Sequence, residues 1–316
     1  MRFLGFASIL LFAASVAAVY VVAGAMTVRY VICRFVHKTP IRSRAWLWSY
    51  RAVLAVAVFG LGCMAYGRFV EPTWLEVTHV RLETPKLPAG SRPIRIVQVS
   101  DLHCDPAPRL EGRLPDVIAA ERPDIIVFTG DAVNVAAGLP HFRRCMTRLA
   151  AIAPTFAVRG NWDYGIREHL NFYGDTGVQE LKGEAVRVDV RGRDVYVAGI
   201  PCIVGQMADQ AMAAVPEGAL TVFLFHSPAR VLDVPPDRVD LYCCGHTHGG
   251  QVALPLYGAL ITLSKHGKRF ESGLYDVDGM PAYVNRGIGM EGGRVPRVRF
   301  WARPEITVFD FVPKKN

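Results

Sequence analysis

Hydrophobic and polar positions divide this chain into two unlike parts. From Phe3 to Val28 none of 26 residues carries a charge. That is about 39 Å of helix, against the roughly 30 Å hydrocarbon core of a bilayer. Ala23-Gly24-Ala25 offers a small-residue cleavage site of the kind found after an export leader. However, the preceding basic region is only Met1-Arg2, and the run outlasts an apolar leader segment of roughly 7–15 residues. A retained membrane helix is expected. A second apolar run, Ala52–Gly67, has 16 residues and is short for a span. Starting it at Ala45 supplies the length, but Arg51 then has to snorkel. Trp46, Trp48 and Tyr50 would form an aromatic belt. The leading expectation for residues 1–70 is an anchor of two spans joined by the loop Arg29–Arg51. The alternative is one span followed by an interfacial helix.

After Gly67 the pattern changes. Trp74–Glu83 alternates apolar and polar residues, as a half-buried strand does. Pro85, Pro88, Gly90 and Pro93 then break it, so residues 71–93 read as a strand and linker. From residue 94 to 316 short β-branched apolar runs each lead into polar, ligand-type residues. Ile94–Val99 leads into Asp101 and His103, Ile125–Phe128 into Asp131, and Phe156–Val158 into Asn161. Val222–Phe225 leads into His226, and Leu241–Cys244 into His246 and His248. Uninterrupted apolar runs fit strands buried on both faces, and ligands at their carboxyl ends fit the binding crevice of an α/β sheet. Helices are expected around Leu110–Ala120 and His141–Ala151. Later strands at Ala185–Val190, Val195–Ile200, Gly273–Val277, Ala282–Asn285 and Ile306–Phe311 suggest a second sheet. The expected fold is α/β: a two-sheet β-sandwich flanked by helices, with transmembrane helices at the N-terminus.

Charge sharpens the division. The formal net charge of +8 lies entirely in residues 1–70, which hold eight Arg or Lys and no acid; the remaining 28 basic residues balance 28 acidic ones. A neutral globular part lacks the electrostatic footprint of a nucleic-acid binder, and no protein partner is suggested. The basic loop between the runs belongs on the cytoplasmic side by the positive-inside rule. With two spans, that puts residues 71–316 outside the cytoplasm; with one span they stay inside. Seven cysteines without a CxxC spacing suit a reducing compartment, which tilts the expectation to a catalytic domain on the cytoplasmic face of a bacterial-type inner membrane.

Asp101 and His103, and likewise His246 and His248, are two residues apart. On an extended strand end each pair would face one side and converge. With Asp131, Asn161 and His226 they make seven potential ligands: four imidazoles, two carboxylates and one amide. Nitrogen and oxygen donors without thiolate suit Mn, Fe or Zn, and seven donors are enough for two divalent ions sharing a carboxylate. Such a pair can generate a nucleophile and clamp both attacking and leaving oxygens of a phosphoryl group.

The ordered elements D-x-H, G-D, G-N-x-D, a lone H and G-H-x-H resemble the calcineurin-like metallophosphoesterase superfamily, over about Ile94 to Phe311. The resemblance implies the metallophosphoesterase sandwich. It also implies one ion on Asp101, His103, Asp131 and His248, and another on Asp131, Asn161, His226 and His246, with Asp131 bridging. The implied reaction is direct attack of a metal-bound hydroxide on a phosphodiester or pyrophosphate, with Asp131, Asn161 and His226 as catalytic residues. Gly245–Gln251, Tyr283–Gly289 and Arg303–Ile306, with the anchor, resemble the membrane-associated branch. That branch includes UDP-2,3-diacylglucosamine pyrophosphatases of lipid A biosynthesis and related phosphodiesterases.

The family usually has histidine where this chain has Trp162. An indole has no titratable proton, and general acid help is worth about 10²–10⁴-fold. A substrate with an acidic leaving group is therefore expected, best guess UDP-2,3-diacylglucosamine, a lipid-linked substrate taken from the bilayer. The alternatives are an exported phosphodiesterase or phosphatase and a non-catalytic metal-binding scaffold. Trp162 either packs on substrate or fills the core. Arg286, in a glycine-rich turn, is either a phosphate clamp or a surface arginine. Arg294, Arg297, Arg299 and Arg303 form either a lip on anionic headgroups or a solvated loop. Cys104 should point away from the metals, and His79, His141 and His169 are read as structural.

Overall fold

A computed structural model describes residues 2–38, 43–203, 208–291 and 297–314. The two apolar runs form helices α1 (Arg2–Val31) and α2 (Arg44–Ala65), and a π-helical turn carries α2 on to Val70. Ser43 caps α2 by accepting from the Trp46 amide, a standard N-cap device. Both helices are long and apolar enough to cross a membrane. They run antiparallel: the Tyr20 hydroxyl donates to the Ala57 carbonyl at 3.1 Å, Thr27 meets Tyr50 at 3.3 Å, and Tyr30 stacks on Tyr50.

The rest folds into two six-stranded sheets face to face. The first holds, in spatial order, β1 (Glu76–Thr84), β14 (Glu305–Pro313), β2 (Ile94–Val99), β3 (Ile125–Phe128), β4 (Thr155–Ala157) and β5 (Gln179–Glu180). The second holds β12 (Gly273–Val277), β13 (Met280–Val284), β9 (Leu241–Cys244), β8 (Leu220–Leu224), β7 (Asp194–Gly199) and β6 (Glu184–Asp189). A small hairpin, β10 (Ala253–Leu254) and β11 (Gly258–Ala259), stands apart from both.

Side-chain alternation along the buried strands builds three cores at once. In β2, Ile94 and Ile96 face the second sheet and join Val222, Leu224 and Leu241 between the sheets. Val97 and Val99 face outward instead, against α3 (Leu114–Glu121) and α4 (Leu139–Ala150). Phe223 and Tyr242 of the second sheet pack on α5 (Ala208–Ala213). Strands covered on both faces need apolar residues on both, which is why their sequences read as unbroken runs.

Two expectations are corrected. The strand expected at Ile306–Phe311 lies in the first sheet, antiparallel to β2 and parallel to β1. The ligand-bearing strands are divided, with β2, β3 and β4 in the first sheet and β8 and β9 in the second. The strand expected before residue 93 is β1, which pairs with β14 from Glu76↔Glu305 to Thr84↔Pro313. Periodicity cannot reveal any of these, because partner choice depends on contacts between segments from tens to more than 200 residues apart. The helix expected from Leu110 starts at Leu114, with Pro115 in its first turn, where a missing N–H costs nothing.

Candidate metal centre

All seven expected ligands lie just past the carboxyl ends of parallel strands, at the rim where the two sheets meet. The backbone turns sharply there. φ is +50° at Asp101, +41° at His103, +61° at Asp131, +71° at His246 and +53° at His248. Left-handed backbone in non-glycine residues costs of order 1–3 kcal/mol each and persists only where surrounding structure imposes it. These residues are therefore not on extended strand ends, and the expectation that each i, i+2 pair converges is half corrected. Asp101 and His103 do share a cluster, completed by His248, whereas His246 joins Asp131 and His226 in a second.

Within the first cluster His103 Nε2 lies 3.2 Å from His248 Nε2, which is 3.5 Å from Asp101 Oδ1. In the second, His226 Nε2 lies 3.2 Å from His246 Nδ1, 3.2 Å from Asp131 Oδ2 and 2.9 Å from Asn161 Oδ1. A tetrahedron of 2.0–2.1 Å metal–ligand bonds has edges of about 3.3 Å, so these donors are spaced as ligands around an ion. Asp131 Oδ2 is also 3.5 Å from His103 Nε2. One oxygen thus faces both clusters, as a bridging carboxylate must.

The electrostatics agree. Burial lowers His103 and His246 to about 4 and His248 well below its ordinary value, leaving neutral rings with lone pairs to give. Burial raises the Asp101 carboxyl to about 7. Burial also works against the charged form of Asp131, but the adjoining His226 outweighs it and holds Asp131 at about 2. His226, opposed by burial but facing Asp131 and Asp101, is held well above its ordinary value.

A second layer orients the donors. The His226 Nδ1–H donates to the Thr129 carbonyl at 2.7 Å, which turns Nε2 inward. Fully buried Asp163 accepts from the backbone amides of Gly160, Asp131 and Ala132 at 2.8–2.9 Å. Burial, then the Asp131 charge, pushes Asp163 up to about 6. The Trp162 amide donates to Asp131 Oδ1 at 2.8 Å. A Cβ at Gly160 would collide with that carboxylate, and one at Gly245 with Asp101. Glycine at both positions is a steric requirement.

Three residues escaped the sequence reading, and a fourth was placed elsewhere by it. Asp163 had a signal, as the last letter of G-N-x-D. Asn134, which donates to the carbonyls of His103 and Met290 at 2.9 and 3.1 Å, had none. Glu291, beside Trp162, is raised by burial and by the Asp131 charge. Arg299 was expected on a surface lip or in a solvated loop. It is instead fully buried, donating to the carbonyls of Arg286, Gly287, Gly289 and Ala302, with Nη2 3.4 Å from His248 Nδ1.

The other candidates are placed as follows. Arg286, read as either a phosphate clamp or a surface arginine, is partly buried, and its guanidinium holds Glu305 at 3.0 Å and Glu76 at 2.9 Å. Trp162 is half-buried, with its ring edge-on to His103 and Arg167 lying 4.7 Å over its face. Arg297 pairs with Asp105 at 2.6 Å and Arg303 stacks on Trp74 at 4.3 Å, whereas Arg294 lies outside the described residues. His79 pairs with Glu121, and His141 meets the Pro106 carbonyl. Cys104 is buried in the core under α3 and α4.

Comparison with known proteins follows the same residues. The family described as calcineurin-like phosphoesterase matches residues 94–250. YkuE of Bacillus subtilis, described as an uncharacterized metallophosphoesterase, is 31% identical over 82% of this chain and 93% of its own length. The chain belongs to this family. This metallophosphoesterase is also similar to the phosphodiesterase YaeI of Escherichia coli, 30% identical over 86% of this chain and all of YaeI. The UDP-2,3-diacylglucosamine pyrophosphatase LpxG of Chlamydia muridarum is 25% identical over 77% of this chain and 91% of LpxG. The metallophosphoesterase thus has two His/Asp clusters typical of dinuclear hydrolases.

Proposed function

We propose that this metallophosphoesterase is anchored by α1 and α2 in a bacterial-type inner membrane and hydrolyses a phosphodiester or pyrophosphate bond of a lipid-linked substrate. The observation that carries the reaction class is Asp131 Oδ2 standing between His103 and His226, one in each cluster. The all-nitrogen-and-oxygen donor set suits Mn, Fe or Zn. Two such ions would supply a nucleophilic hydroxide at neutral pH and polarise the phosphoryl oxygens.

The chain's own groups do the rest. Asp131 fixes the separation of the clusters, while Asp163 and the Thr129 carbonyl hold Asp131 and His226 in place. Asn161, exposed at the mouth, offers an amide N–H₂ to a substrate oxygen while its Oδ1 faces His226. Trp162 can neither give nor take a proton at neutral pH. The reading therefore favours a leaving group that departs without protonation, such as a nucleoside monophosphate or an aryl alcohol.

UDP-2,3-diacylglucosamine is the specific substrate proposed; the name of LpxG and the acidity of a departing UMP support it. A second reading has its own support. The antiparallel helices put the basic loop at the end away from the catalytic domain, so the positive-inside rule favours an exported domain. The name of YaeI then points to a different phosphodiester. Purified full-length protein loaded with Mn²⁺, with Asp131→Ala as control, separates the two. UMP release that depends on metal and Asp131 supports the first reading. Hydrolysis of an aryl phosphodiester without UMP release supports the second.

A further inference from the structure

The hairpin β10–β11 grows directly from the ligand loop, two residues after the short 3-10 turn His248–Gly250. Its tip is Pro255-Leu256-Tyr257. Leu256 is completely exposed (110%) with φ +67°, and Tyr257 is 47% exposed. An exposed leucine in left-handed backbone is unfavourable twice over, since glycine or asparagine would suit the turn and a polar side chain would suit water. Nothing in the described part of the chain covers it.

The tip has a fixed address. The Tyr257 hydroxyl lies 3.1 Å from Ser8 Oγ on α1. Contacts between the antiparallel helices pair Tyr20 with Ala57 and Thr27 with Tyr50. The same register puts Ser8 level with Phe69, which is 71% exposed and follows Arg68. An arginine, an exposed phenylalanine and a tyrosine hydroxyl at one height along an apolar helix pair have the chemistry of a membrane–water boundary. Lys268 closes the base of the hairpin, donating to the Tyr257 and Ala259 carbonyls and lying 4.3 Å over the Tyr257 ring. On the other side, Phe300 bonds the hairpin base through the Ala253 amide and packs edge-on against Tyr66 at the end of α2. Arg299 donates its amide to the Gly67 carbonyl. Helix ends, hairpin and the Arg299–Ala302 loop make one continuous band beside His248.

We propose that the Pro255–Tyr257 tip is a membrane-inserting wedge, seated in the headgroup and upper acyl layer of the bilayer that holds α1 and α2, and that it keeps the metal centre at the membrane surface. The occupant of this exposed apolar tip is lipid, because α1 continues the same surface. The inference rests on the reading of α1 and α2 as membrane helices, and the experiment separates the two.

Full-length Leu256→Trp protein is reconstituted in phosphatidylcholine–phosphatidylglycerol vesicles, and its melting temperature is checked against the parent. The emission added by the new indole is measured with acyl-brominated lipid and with aqueous iodide. At least a twofold quench by bromolipid, with little quench by iodide, is expected. Protein that stays with the vesicles after an alkaline wash but whose added emission is quenched by iodide and not by bromolipid overturns the wedge alone. Protein released by the wash overturns the membrane reading and the wedge with it.

Discussion

The ring of Trp162 meets that of His103 edge-on, with centroids 5.3 Å apart and planes at 87°. A side chain without a titratable proton therefore stands against a metal-type ligand. Trp162→His should raise hydrolysis of an alkyl phosphodiester about a hundredfold, the lower end of what a general acid supplies. An aryl ester, whose leaving group needs no proton, should change by less than about threefold. Parallel rate measurements on the two esters check this. Equal changes would remove the leaving-group argument.

Metal binding should release protons. In the metal-free protein His226 is held well above its ordinary value and Asp101 at about 7, so at neutral pH both sites carry protons that ligation must expel. Affinity should fall as pH falls, by about tenfold per unit for each proton displaced. Calorimetric titration with Mn²⁺ in two buffers of different ionisation enthalpy counts the protons directly. Identical heats in the two buffers would contradict it.

Asp163 holds the turn under the metal centre by accepting three backbone amides. Asp163→Ala leaves those donors buried without partners, at a cost of about 3–5 kcal/mol. Asp163→Asn keeps one acceptor oxygen and should cost about half as much. Thermal melting in detergent gives the order of the two variants. Metal analysis should show the Ala variant losing both ions, because Asp131 hangs from the same turn.

Arg286 is predicted to matter for stability rather than for substrate affinity. Burial alone would raise the Glu305 carboxyl, but the Arg286 hydrogen bond and charge, with Thr78 and Tyr283, bring it below the ordinary 4.5. Its stabilisation is therefore fully present above pH 4.5 and lost as pH falls through the lower folded-state value. In Arg286→Met only the Thr78 and Tyr283 hydrogen bonds still oppose the raising effect of burial, so the ionised carboxylate destabilises the fold at neutral pH by about 3 kcal/mol, and acidification relieves this. Melting temperatures of parent and variant should converge between about pH 7 and pH 4, with little change in KM at neutral pH.

Much of the site was legible because metal ligation demands particular side-chain types, and strand ends bring those types in a fixed order. Asp101, Asp131, Asn161 and the histidines could be named from that order. Their division into two clusters followed from the family resemblance and not from alternation, since His246 and His248 part company through left-handed turns that no alternation pattern encodes. Arg286 and Arg299 were misplaced for a related reason. A guanidinium in a glycine-rich turn or a basic loop reads as exposed until the carboxylates or carbonyls that the folded chain turns toward it are known.

By itself the sequence determined the element types, the apolar helix pair and the identity of the donor atoms, because these follow from local periodicity and side-chain chemistry. Only the tertiary structure decided which sheet each strand joined and which oxygen of Asp131 faces both clusters. It also decided that Glu291 meets Trp162 and that the hairpin tip reaches Ser8. Those are relationships between segments tens to hundreds of residues apart, set by which buried faces and hydrogen-bonding edges fit together when the whole chain folds.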